Sequence, residues 1–135
     1  MIHQKLSNFI SSSQKNIHLK GALGSALTFT VAESFKTSEV PFLLLFDTKE
    51  EAAYYLNDFE MLLDDKQVLF YPASYRRPYQ IEDTDNANVL LRAEVLSRIN
   101  SQKKPALVVS YPEALFEKVL SRKQLEKSTF KLAVG

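Results

Sequence analysis

Three short apolar runs constrain this chain more than any other feature: Pro41-Phe-Leu-Leu-Leu-Phe46, Val68-Leu-Phe-Tyr71 and Ala106-Leu-Val-Val109. None alternates with polar residues, so each reads as a strand buried on both faces, the habit of a parallel sheet covered by helices. A weaker fourth run, Ile17-His-Leu-Lys-Gly-Ala-Leu23, stands ahead of them. Helical patterns fill the gaps. Ser25 to Phe35 carries Leu27, Val31 and Phe35 on one face, and Thr48 to Leu63 carries Ala52, Tyr55, Leu56, Phe59 and Leu63 on one stripe. Thr48 and Glu51 form a capping-box pair at the start of that helix. Val89, Ala93, Leu96 and Asn100 mark one face of a third helix, with Ile99 extending its edge, and Pro112 to Leu120 reads as a short fourth with proline in its first turn. A further short helix over Gln4 to Ser11 buries Leu6, Phe9 and Ile10. Strand and helix thus alternate four times after an initial helix. That order predicts a three-layer α/β domain with a mainly parallel sheet and right-handed crossovers.

Composition removes several function classes. The chain has 135 residues, enough for one domain with its own core. It contains no cysteine, which excludes a disulfide scaffold, a thiol nucleophile and a cysteine-ligated zinc site. The longest apolar run is far below the roughly 20 residues of a membrane helix, and the N-terminus lacks the apolar stretch of a secretory signal. These features describe a cytoplasmic globular domain. With 17 basic against 16 acidic residues, the chain generates no global field for nucleic acid, only room for a local patch. The tail, Ser128-Thr-Phe-Lys-Leu-Ala-Val-Gly135, alternates like a half-buried strand but has no partner after it, as expected of a fragment of a longer protein.

Glycine is scarce, at three residues, and two of them fall in one turn. Gly21-Ala-Leu-Gly24-Ser25-Ala26-Leu27-Thr28 aligns with the phosphate-loop pattern G-x-x-x-x-G-K-[ST], but Ala26 stands for its second glycine and Leu27 for its lysine. Leucine offers neither charge nor donor to a β- or γ-phosphate, and triphosphate hydrolysis depends on that charge stabilisation. Taken alone, the pattern is a failed match, better explained by a chance strand–glycine–helix turn. The other cluster of note is Tyr71, Tyr75, Arg76, Arg77 and Tyr79, the one place where cations and aromatics mix. Its plainer reading is a surface loop packed on the sheet edge. Its functional readings are base stacking, phosphate holding or protein docking. Glu82, Asp83 and Asp85 precede a helix, where Asp85 and Asn86 read as caps rather than metal ligands. His3 and His18 have no partners at any recognisable catalytic spacing.

The ordered set of segments is more specific than any one of them. Gly21-Ala-Leu-Gly-Ser-Ala-Leu-Thr-Phe-Thr-Val-Ala32 resembles the nucleotide loop of the excision-repair helicase UvrB with its glycine–lysine pair erased. Phe42-Leu-Leu-Leu-Phe-Asp47 with the Thr48 helix, Leu69-Phe-Tyr-Pro-Ala-Ser-Tyr-Arg-Arg-Pro-Tyr79 and Leu107-Val-Val-Ser-Tyr-Pro-Glu-Ala-Leu115 resemble successive segments of the same module. Phe130-Lys-Leu-Ala-Val-Gly135 resembles the strand that enters the next domain. Together they resemble the N-terminal, UvrB-like module of the bacterial transcription-repair coupling factors (the Mfd family). The double arginine at Arg76 and Arg77 departs from the acidic or apolar residues usual there.

The resemblance implies a RecA-like, phosphate-loop-NTPase-like fold over residues 1–127, with residues 128–135 beginning the following domain. It implies a non-catalytic scaffold in transcription-coupled repair that recruits UvrA together with that domain and makes intramolecular contacts with the rest of its parent. The parent's motor domains would carry ATP and Mg and engage DNA and RNA polymerase. This segment would need no cofactor or metal, would not act at a membrane, and would bind UvrA weakly or not at all by itself. Two other readings stand beside it. One is a nucleotide phosphohydrolase that uses Arg76 or Arg77 in place of the missing lysine; the other is a nucleic-acid-binding module acting through the Tyr75–Tyr79 loop.

Overall fold

The computed structural model describes residues 2–64, 67–75, 85–101, 104–119, 123–124 and 127. Arg76, Arg77, Tyr79, Glu82, Asp83 and the expected strand over 128–135 lie outside the described residues. The elements run in the order α1 (Ile2–Ile10), α2 (Ser25–Lys36), β1 (Phe42–Leu45), α3 (Lys49–Leu62), β2 (Val68–Tyr71), α4 (Asn86–Ser101), β3 (Leu107–Ser110) and α5 (Pro112–Phe116). The three strands form a parallel sheet in the order β1-β3-β2. Leu43, Val108 and Leu69 lie side by side across it.

The path from β1 to β2 steps two places along the sheet, and the path from β2 to β3 steps one place back. Crossovers of one hand therefore put α3 and α4 on opposite faces. They are found there. On one face Phe42 meets Phe35 of α2 edge-on at 5.3 Å, and Phe46, which continues the same alternation, stacks on Tyr55 of α3 at 4.5 Å. On the other, Arg92 of α4 lies over the Tyr71 ring. The core spans both interfaces: Val31, Ala32, Phe35, Ala52, Phe59, Leu107 and Val109 are buried on the first, and Leu69, Tyr71, Val108 and Val95 of α4 on the second.

The local code works where it depends on near neighbours. Thr48 caps α3, its Oγ1 accepting from the Glu51 N–H at 3.1 Å, while Glu51 reaches back to the Asp47 N–H at 3.2 Å, one residue before the cap. Asp85 Oδ1 accepts from Ala87 N–H at 3.0 Å at the start of α4, so it is a cap, and Asn86 is the first helical residue. Pro112 opens α5. Among the described residues no helix is long and apolar enough to cross a membrane.

Four expectations need correction. Residues 17–23 form no strand: the run carries His18 and Lys20, Ile17 is exposed, and Gly21 turns the backbone to φ 86° before any pairing. The second correction concerns β1, which is not buried on both faces. Among the described residues it is an edge strand with no helix above its second face, and Leu43 and Leu45 are 55% and 53% exposed. Third, the packed face of α4 is turned by one residue from the expected one. Arg92 and Val95 are buried and Leu96 half-buried, while Val89 and Ala93 face outward. Last, α1 and α5 differ from expectation: α1 runs over Ile2–Ile10 with Leu6, Phe9 and Ile10 half-buried rather than buried, and α5 ends at Phe116.

The half-covered face leaves an open apolar groove of about 930 Å³ between α4 and the segment following α5. Leu43 and Val108 line it from the sheet, Val95, Leu96 and Ile99 from α4, and Val119 from the far side.

Candidate functional site

Two places merit a chemical reading, the glycine loop and the carboxyl end of β2. In the loop, Gly21 (φ 86°) and Gly24 (φ 54°) both occupy backbone conformations that disfavour L side chains. Nothing lies within 4 Å of where either Cβ would stand, so glycine is required here by backbone shape alone. Gly24 caps α2 without a side-chain hydrogen bond. The first turn of the helix folds back on the loop: Ala26 N–H donates to Leu23 O and Leu27 N–H to Gly24 O, each at 3.2 Å. Two donors that an anion at a helix N-terminus would use are thereby already paired.

The side chains of the loop go elsewhere too. Ser25 and Ala26 are exposed. Leu27, at the lysine position of the phosphate-loop pattern, is half-buried and packs against the core. Thr28, at the position whose hydroxyl would meet a magnesium ion, is buried and directs Oγ1 to Asp58 Oδ2 of α3 at 3.4 Å. Both side chains thus join packing interfaces. Among the described residues no group of three or more His, Asp or Glu is placed to hold a metal ion.

At the carboxyl end of β2 a polar network fixes residues 72–74. Arg92 is buried, and its Nη1 donates to Pro72 O and Ala114 O, both at 2.8 Å. Nη2 lies 3.5 Å from Glu117 Oε2, an ion-pair distance without a hydrogen bond, and the guanidinium stands 4.2 Å from the centroid of the Tyr71 ring. The Glu117 carboxylate also accepts from Ser74 N–H at 2.7 Å and from Ser74 Oγ at 2.5 Å. Ala73 N–H donates to Tyr111 Oη and Asn88 Nδ2 donates to Ala73 O, while Asp85 N–H donates to Ser74 O. Burial raises the pKa of Tyr71, with the Arg92 charge opposing the shift and Glu117 adding to it. Tyr111 is raised by burial as well, against the lowering effect of its bond from Ala73.

Of the expected loop residues, Tyr75 is half-buried directly after this clamped stretch, and Arg76, Arg77 and Tyr79 lie outside the described residues. Arg92 and Glu117 belong to no motif of the sequence. The available signal was a cation at helical spacing between Asn88, Val95 and Leu96, a polar interruption of an apolar stripe. A comparison with protein-family models, curated proteins and solved structures finds no match to the chain.

Proposed function

We propose that this chain is a non-catalytic, RecA-like module, similar to the N-terminal UvrB-like part of a bacterial transcription-repair coupling factor. On this reading residues 1–127 are the module and residues 128–135 begin the next domain. The module would act in the cytoplasm as a scaffold that recruits UvrA together with the next domain, leaving ATP, DNA and RNA polymerase to other parts of its parent. The observation that carries the reading is the glycine loop. Gly21 and Gly24 retain a left-handed turn into a helix, while Leu27 is packed against the core and Thr28 is bonded to Asp58. A loop of that form keeps the first glycine of the phosphate-loop pattern, at Gly21, without the charge that triphosphate chemistry requires.

Calorimetric titration tests this directly. Mg-ATP added to the 135-residue chain should give no binding heat. Micromolar binding would sink the reading in favour of the phosphohydrolase. Immobilised UvrA should retain the isolated chain weakly or not at all, and strong retention would overturn the assignment of the main UvrA surface to the next domain. DNA binding that weakens with salt and with loss of Arg76 and Arg77 would favour the nucleic-acid alternative.

A further inference from the structure

We propose that Glu117 is a latch that makes two chain exits at one end of the sheet move as a single unit: the loop leaving β2 and the segment leaving α5. The proposal does not rest on the function assigned above. Glu117 follows α5 directly, yet its carboxylate binds both the backbone and the side chain of Ser74, just beyond β2. Arg92 closes the same circuit from α4. One nitrogen joins Pro72 O on the β2 side to Ala114 O on the α5 side, and the other faces Glu117. Tyr111, immediately before α5, adds a parallel tie by accepting from Ala73 N–H.

Every tie in this set joins the loop leaving β2 to α5 or to a residue directly flanking it, either directly or through Arg92. Both charges of the Arg92–Glu117 pair are largely removed from water, with side-chain exposures of 8% and 12%, so the pair is little screened by salt. The two segments therefore open together more readily than either opens alone. A partner that engages the chain from Tyr75 onward would be felt in α5, and tension on the segment after α5 would reach Ser74. Such coupling is reciprocal by thermodynamic necessity.

Amide hydrogen exchange on the 135-residue chain, read residue by residue, tests the latch. Ser74→Ala removes one charge-assisted bond and leaves the Arg92–Glu117 pair in place. It should speed exchange at Ala73 and position 74 by roughly tenfold. The amides of α5 should accelerate too, while β1 and α2 stay unchanged. Glu117→Gln should produce the same pattern more strongly, and the double variant should exceed Glu117→Gln by little, because both changes open one latch. If Glu117→Gln fails to fold, Ser74→Ala alone decides. Acceleration confined to 73–74, uniform acceleration across the chain, or no change would each overturn the proposal.

Discussion

Replacing Arg92 with methionine keeps most of the side-chain volume and removes the charge. The loss follows from the geometry. Pro72 O and Ala114 O lose a donor at 2.8 Å, and Glu117 is left as a buried carboxylate without its counter-ion. Removing one partner of a buried pair typically costs about 3–5 kcal/mol. Ser74 still donates two bonds to Glu117, which points to the lower half of that range, about 3 kcal/mol. Against a total stability of about 5–15 kcal/mol, this is a large fraction. Urea unfolding followed by far-ultraviolet circular dichroism suits a chain without tryptophan. The midpoint should fall while the slope stays constant. Arg92→Met combined with Glu117→Gln should recover part of the loss, because the orphaned charge is gone. A loss under about 1 kcal/mol for the single variant would refute the argument that Arg92 balances a buried charge.

Three further outcomes follow from other sites. Gly24→Ala forces a side chain onto a backbone at φ 54° and ψ −132°, and should lower stability by about 1–3 kcal/mol in the same urea assay although nothing crowds the new methyl. Leu27→Lys should reduce stability by burying part of an ammonium stem against the core, and should leave Mg-ATP titration silent, because the hydroxyl of Thr28 stays turned to Asp58. Alkaline pH should destabilise the fold. Tyr71 and Tyr111 hold their protons more tightly when folded, so stability is full below the ordinary phenol value of 10.0 and declines as pH rises through it. Tyrosinate absorbance near that pH should show at least two residues titrating late.

The helices and their caps were legible because their signals are local. The spacing alone puts Ala52, Phe59 and the C-cap Leu63 on the packed face of α3, where all three are buried, and Thr48 caps it as expected. The glycine loop was legible for the same reason: a left-handed turn is a property of the residue that occupies it. The apolar run before it is not a strand. An apolar run becomes a strand only when a neighbouring strand satisfies its backbone, and periodicity carries no information about partners. The burial of β1 failed on similar grounds, since an edge position is set by strand order, which local pattern does not encode.

For this protein, then, sequence alone determined the helices, three of the four expected strands, the caps of α3 and α4 and the turn at Gly21 and Gly24, because short-range sterics and hydrogen bonding specify the caps and the turn. Tertiary structure decided that β3 lies between β1 and β2, that among the described residues one sheet face is half covered, and that Arg92 lies inside. The physical reason is clearest at Arg92. A lone guanidinium belongs in water, and it can be buried only once Pro72, Ala114 and Glu117 arrive from two other parts of the chain to meet it.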